Sequence, residues 1–94
     1  HGSLRHLNIG NNPLGAAGLL ALSRGIASCT NVVSLDIRGT HLGTKALPSM
    51  VTALLSIPSL QLVDIRHNFL GEAAVKRFLS QVPAVTVKSD YPYL

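Results

Sequence analysis

The residues of this chain best suited to chemistry are acidic and basic residues that occur together in one short, repeated sequence pattern. The tripeptide Asp-Ile-Arg occurs at residues 36–38 and again at residues 64–66. Two neighbouring carboxylates can divide acid–base work, and an arginine can bind a carboxylate or stack on an apolar group of another molecule. Whether these groups act together depends on the elements that position them.

The two tripeptides belong to a longer internal repeat. The stretches LNIGNNPLG at residues 7–15, LDIRGTHLG at 35–43 and VDIRHNFLG at 63–71 are separated by equal steps, since 35 − 7 = 28 and 63 − 35 = 28. Three apolar columns keep this interval, namely Leu4, Val32 and Leu60; Ile9, Ile37 and Ile65; and Leu14, Leu42 and Leu70. A fixed interval of this size indicates a repeat architecture.

Each copy predicts a strand followed by a helix. Its first residues alternate between apolar and polar, which is typical of a half-buried strand. Its later apolar residues recur at helical steps, at Leu19, Leu22 and Ile26, at Leu47, Met50 and Leu54, and at Val75, Phe78 and Val82. One copy is too small to bury its apolar face alone, so we expect the copies to lie side by side. That arrangement gives a parallel sheet on one side and helices on the other.

These residues resemble a leucine-rich repeat protein of the ribonuclease-inhibitor-like class. The pattern L-x-x-L-x-L-x-x-N-x-L is complete in LRHLNIGNNPL at residues 4–14 and nearly complete in LQLVDIRHNFL at 60–70. The resemblance implies an α/β leucine-rich repeat solenoid with a parallel inner sheet and outer helices. Three repeats would form a right-handed curved stack with the strands on its concave side.

The predicted organisation is one domain or fragment over residues 4–94. Its repeats span about 4–31, 32–59 and 60–84, an irregular C-terminal cap spans 85–94, and residues 1–3 fit no column and are interpreted as a cloning remnant. Tyr91, Tyr93 and Leu94 are predicted to cover the last repeat. Leu4 begins directly in a strand, which predicts an excised piece of a longer array or an N-terminal edge covered by another chain.

Two positions depart from the family pattern. Thr40 stands where the other copies have Asn12 and Asn68. A hydroxyl can replace only part of the hydrogen bonding of that amide, so we predict a looser middle turn. Lys88 stands where the aligned column requires an apolar residue, which predicts an irregular last strand over residues 85–87.

Strand alternation predicts which residues leave the core and line the concave face. If Leu7 and Ile9 point inward, three columns point outward: His6, Ser34 and Leu62; Asn8, Asp36 and Asp64; and Gly10, Arg38 and Arg66. The repeated tripeptide would thus set a row of carboxylates beside a row of arginines. Two interpretations remain open, either mutual neutralisation on a solvated face or a partner contact through Arg38, Arg66 and Leu62.

The turns after the strands could extend this surface through His41, His67 and Phe69. For Phe69, packing over its own repeat is the favoured interpretation, and exposure would point to binding. The predicted partner-binding residues are therefore Asp36, Arg38, Leu62, Asp64, Arg66, His41, His67 and Phe69.

Catalytic, metal and cofactor sites are not predicted. Cys29 shares a column with Ile57 and Val85, so we expect a buried hydrophobe rather than a nucleophile. The histidines share no column and lack metal-ligand spacing, and an open curved face is no closed pocket for carboxylate catalysis.

The function that the resemblance implies is a non-enzymatic protein–protein interaction module. The alternative is a structural spacer, or a segment that self-associates through its N-terminal edge. A net charge of +4 is spread along the chain with only four aromatic residues, which argues against nucleic acid as the partner. The single cysteine and the lack of an Asn-x-Ser/Thr sequence favour an intracellular, cytoplasmic setting, and the sequence predicts no membrane span.

Overall fold

The structure is a computed structural model that describes residues 4–26 and 31–94. Strands and helices alternate in the predicted order. The elements are β1 (His6–Asn8), α1 (Gly15–Ile26), β2 (Ser34–Asp36), α2 (Leu47–Leu55), β3 (Leu62–Asp64), α3 (Glu72–Gln81) and β4 (Thr86–Lys88). A 3₁₀ turn at Thr44–Ala46 leads into α2, and Pro48 lies in the first turn of that helix, where its missing N–H removes no helical hydrogen bond.

The strands form one parallel sheet in the order β1-β2-β3-β4. His6 pairs with Ser34, 28 residues away, and Ser34 pairs with Leu62. One residue beyond each strand, the N–H groups of Ile9, Ile37 and Ile65 donate to the next strand's carbonyl oxygens at 3.0, 3.0 and 2.9 Å. Equivalent positions therefore occupy neighbouring rungs, as the sequence interval predicts.

A single apolar core lies between the strands and the helices. Leu35 and Val63 enter it from the sheet, and Leu19, Met50 and Phe78 enter it from the three helices. The predicted helical stripes are confirmed as buried, except that Leu22 is half-buried. Burying each such side chain contributes about 1.5–3 kcal/mol, which fixes the sheet and holds its opposite face toward solvent.

The fourth strand corrects the predicted place of Lys88. Thr86 pairs with Leu62, Val87 with Val63 and Lys88 with Asp64. The sequence alignment that put Lys88 in an apolar column paired each β3 residue with a residue one position later in the chain. In the structure each β3 residue pairs with the β4 residue one position earlier than that. Because side chains alternate along a strand, the slip moves Lys88 from the core to the open face of the sheet.

The middle turn is well bonded, so the prediction that Thr40 loosens it is wrong. Thr40 is fully buried, and its hydroxyl lies 2.8 Å from the carbonyl oxygen of Ile37. The Oδ1 atom of Asn68, in the next turn, accepts hydrogen bonds from the N–H groups of Thr40 and Leu42 at 2.9 and 3.1 Å. Asn68 thus supplies a side-chain acceptor for the backbone of the middle turn.

The two ends of the sheet differ in how well they are covered. At the β1 edge Leu4, Leu7 and Ile9 are only half-buried, and Leu14 is 39% exposed. At the other end Tyr91 packs against the core and donates from its hydroxyl to Leu70 O at 3.2 Å. Tyr91 provides the predicted cover, whereas Tyr93 and Leu94 are 71% and 39% exposed.

Two sequence predictions lie outside the described residues. These are the interpretation of residues 1–3 as a cloning remnant and the expected burial of Cys29. Within residues 4–26 and 31–94, no helix combines the length and apolar character needed to cross a membrane.

Candidate functional site

The candidate site is the open face of the sheet. The residues that alternate with the buried Leu35 and Val63 point away from the core and share this face. They border a groove of about 310 Å³, which we call the sheet-face groove; it is lined by His6, Leu7, Asn8, Ser34, Leu35, Asp36, Leu62, Asp64 and Lys88. The predicted sharing of one face by Asp36, Leu62 and Asp64 therefore holds.

Each carboxylate of this face accepts a hydrogen bond from a backbone N–H just beyond the end of its own strand. An oxygen of Asp36 accepts the N–H of Arg38 at 3.1 Å, and Asp64 accepts the N–H of Arg66 at the same distance. Asn8 makes the equivalent contact with Gly10 at 2.9 Å. A short acceptor two residues before the donor is an Asx turn, which explains why this column contains only Asp or Asn in the three copies.

Asp64 is held by a two-pronged ion pair. Its two oxygens accept from the Nε and Nη2 atoms of Arg66 at 3.0 and 2.7 Å. The Asp64 side chain is only 8% exposed, while that of Arg66 is 36% exposed. The Asp64 carboxylate is therefore largely shielded from solvent, because the arginine folds back and covers it.

Asp36 is held more loosely. Arg38 donates to it from Nε alone, at 3.1 Å, and the same Nε lies 3.6 Å from the Oδ2 atom of Asp64 on the neighbouring strand. Among residues 4–26 and 31–94, neither terminal nitrogen of Arg38 has a hydrogen-bond acceptor. An arginine thus neutralises each carboxylate, but the two terminal nitrogens of Arg38 remain available to another acceptor.

The environment of Asp64 lowers the pKa of its carboxyl below the ordinary 3.8. Burial acts in the opposite direction and would raise the pKa. The hydrogen bonds from the Arg66 side chain and backbone, together with the positive charges of Arg66 and Arg38, outweigh burial. Asp64 therefore remains ionised on the folded protein well into the acid range.

This pKa shift predicts a pH-dependent contribution to stability. A carboxyl whose pKa is lower in the folded state stabilises the fold above its unfolded pKa, and the contribution is lost as the pH falls through the folded pKa. We expect the difference in unfolding free energy between the wild type and Asp64→Asn to be constant near neutrality and to shrink below about pH 3.8. Urea denaturation from about pH 7 to about pH 2 measures it, and a difference that grows toward acid would contradict the assignment.

The turns beyond the strands place a second group of predicted residues beside this face. We call His41, His67 and Phe69 the turn rim; their backbone φ angles are 60°, 59° and 59°, in the left-handed region. Phe69 is 80% exposed, so the prediction that it packs over its own repeat is wrong. Its ring meets that of His41 edge to face at 5.7 Å between centroids.

His67 lies in the rim but has a different neighbour. Its backbone N–H donates to the Asp90 carboxylate at 3.1 Å, and its Nδ1 atom lies 3.6 Å from the same group. Sequence reasoning missed Asp90 and Lys88 as residues of this surface. The register of β4 places Lys88 in the carboxylate column, and the sequence carries no periodic signal for that register because the connection before β4 is shortened.

A hydrogen bond joins the two polar residues at the opposite margin of the groove. His6 Nδ1 and Ser34 Oγ are 2.6 Å apart, and both side chains belong to the same outward column. The described residues contain no group of three or more His, Cys, Asp or Glu side chains placed to hold a metal ion. The arrangement is a mixed polar and apolar surface.

Comparison with known families agrees with the strand and turn pattern of the first unit. A family model described as Leucine Rich repeat matches residues 3–23, which cover β1, the turn after it and most of α1. Residues 3–23 are therefore similar to a leucine-rich repeat. The leucine-rich repeat family is in general a protein-interaction family, and the mixed α/β fold with a parallel four-stranded sheet and three helices is consistent with it.

A larger curated protein also resembles this chain. The FERM domain-containing protein C of Dictyostelium discoideum is 26% identical to it over 84 residues. The match covers 89% of this chain and 6% of that protein, so the chain corresponds to a small part of its relative's length.

Proposed function

We propose that the chain is a non-enzymatic protein–protein interaction module that binds its partner through the sheet-face groove and the turn rim. In this proposal it is part of a right-handed, curved solenoid of ribonuclease-inhibitor-like repeats with a 28-residue interval, over residues 4–31, 32–59 and 60–84, with a cap over 85–94. The setting is intracellular and cytoplasmic. The partner-binding residues are Asp36, Arg38, Leu62, Asp64, Arg66, His41, His67 and Phe69.

The observation that carries this proposal is the composition of the sheet-face groove. Half-buried Leu62 lies among polar side chains from four adjacent strands, and a neutralised pair of carboxylates forms one wall. Protein interfaces combine apolar anchors with a polar surround in this way. The groove is open and wide, which suits an extended surface of another protein.

A cross-linking experiment tests the proposal. A photoreactive benzophenone amino acid at Leu62 is expected to form an adduct with a specific protein in a lysate of cells that express the chain. The control places the same group at Leu55, which is 60% exposed on α2 and lies outside the groove. Excess unlabelled chain should abolish the adduct at position 62, and identical adduct patterns at the two positions would refute the proposal.

A second candidate function, self-association through the β1 edge, is favoured by the accessible apolar residues there. Leu14 is 39% exposed, whereas its counterparts Leu42 and Leu70 are 1% and 6% exposed. Exposed edge strands with apolar neighbours pair readily with another chain. With the photoreactive group placed at Leu14 instead, an adduct at twice the mass of the chain would support this second function.

A further inference from the structure

Phe69 contacts His41 with its ring, which is otherwise largely exposed to solvent. Its φ of 59° lies in the region that side chains beyond glycine and asparagine rarely adopt. Its ring is 80% exposed, while the chain's other phenylalanine, Phe78, is 1% exposed and fills the core. A residue in an unfavourable backbone conformation whose large apolar side chain stays mostly in solvent is a candidate for function.

Arg38, at the same end of the sheet, has hydrogen-bond donors that no acceptor among the described residues satisfies. Arg66 donates to Asp64 from two guanidinium nitrogens, whereas Arg38 donates to Asp36 from Nε alone. The terminal nitrogens of Arg38 are therefore free among the described residues, and its side chain is 34% exposed. Two parallel N–H groups of a guanidinium match the two oxygens of a carboxylate.

The two features lie in neighbouring turns of the fold and are linked through His41. Arg38 is three residues before His41 in one turn, and His41 contacts the ring of Phe69 in the next turn at 5.7 Å between centroids. The carboxylates beside Arg38 are already ion-paired, and Lys88 adds a further positive charge on the same face. An incoming anion therefore meets a surface whose own negative charge is neutralised.

We propose that Arg38 and Phe69 form an anchor for a partner segment that carries a carboxylate next to a large apolar side chain. This inference rests on the proposed function and names the chemistry of its partner. The guanidinium edge of Arg38 binds the carboxylate in a two-pronged pair. The apolar side chain packs on Phe69 and His41, and its burial offsets the exposure of the phenylalanine.

A peptide-display experiment tests the anchor. A phage library of random dodecamer peptides is selected on the immobilised chain, and an enriched peptide is synthesised with a fluorophore for polarisation measurements. We expect enriched sequences to place Asp or Glu within two positions of Phe, Trp, Tyr or Leu. Arg38→Ala, Arg38→Lys and Phe69→Ala should each weaken binding by about tenfold or more, and so should replacing the peptide's Asp by Asn or its Glu by Gln.

Matched controls separate the anchor from general stickiness. Arg24→Ala and Leu55→Ala remove the same kinds of side chain from exposed positions on α1 and α2, and both should leave the dissociation constant unchanged. Circular dichroism and urea midpoints show that each variant is folded. A wild-type-like fold in Phe69→Ala is expected, because the ring is mostly in solvent.

The outcomes distinguish this inference from the function beneath it. Failure to enrich any sequence, enrichment of basic or uncharged peptides, or binding that survives both Arg38→Ala and Phe69→Ala would overturn the anchor. If binding is then abolished by Leu62→Asp alone, or if the cross-link at position 62 persists, the interaction surface stands and only the chemistry of its partner is wrong. If the benzophenone group at position 62 forms no specific cross-link, the proposed function itself is refuted.

Discussion

Asn68→Ala is expected to lower the free energy of unfolding by about 3 kcal/mol or more, whereas Asn12→Ala in the equivalent column should cost less than about 1 kcal/mol. Asn68 is fully buried. Its Oδ1 accepts from the N–H groups of Thr40 and Leu42, and its Nδ2 donates to the carbonyl oxygen of Ile37 at 2.8 Å. Truncation leaves these buried groups without partners, and each such group costs about 1–3 kcal/mol.

Asn12 is a matched control because its bonding is local and exposed. It donates to the carbonyl oxygens of Ile9 and Gly10, in its own turn, at 2.9 and 3.1 Å. Water can replace an exposed partner, so the loss should be small. Urea denaturation of the two variants at one pH measures the contrast, and equal losses would show that Asn68 does not tie adjacent turns together.

Arg66→Ala is expected to lower the free energy of unfolding measurably, and by more than Arg38→Ala does. Removing Arg66 leaves the 8%-exposed Asp64 side chain with the Nε of Arg38, at 3.6 Å, as its one remaining ion-pair contact among the described residues. Breaking a fully buried pair costs about 3–5 kcal/mol. We expect less here because Arg66 itself is 36% exposed and water can enter after truncation.

A double variant makes this prediction specific. Replacing Asp64 by Asn in the Arg66→Ala background removes the uncompensated charge and keeps an acceptor for the backbone N–H of residue 66. We therefore expect the double variant to recover most of the loss in unfolding free energy measured for Arg66→Ala. A double variant as unstable as the sum of the two single variants would show that Asp64 and Arg66 act independently.

In the proposed function both arginines contact the partner, but their substitutions are expected to differ in their effect on stability. Arg66 also stabilises the fold, since it neutralises a largely buried carboxylate. Arg38 contributes less to the fold and keeps free hydrogen-bond donors, so its substitution should affect partner binding more than unfolding. A substitution series that treated the two Asp-Ile-Arg copies as equivalent would not separate effects on unfolding from effects on partner binding.

Several features of this protein follow from its sequence alone. The constant interval between the copies predicts that Ile9, Ile37 and Ile65 occupy neighbouring rungs, and the ladder of backbone hydrogen bonds confirms it. The helical stripes predict the buried faces of α1, α2 and α3. Both succeed because periodicity is set by backbone geometry, about two residues per repeat in a strand and about 3.6 in a helix, whatever the neighbours are.

Other features depend on contacts between side chains that are distant in sequence. Tertiary structure decides that Asp64 is buried while Asp36 is less so, because Arg66 covers one carboxylate with two nitrogens and Arg38 reaches the other with one. It decides that Asn68 completes the turn that contains Thr40. It also sets the register of β4, which pairs Lys88 with Asp64 and so places it on the open face. Where the repeat interval is kept, the sequence predicts which way a side chain points. Only the packed structure determines what that side chain contacts and how β4 pairs, because a neighbour's rotamer and a shortened connection leave no periodic signal.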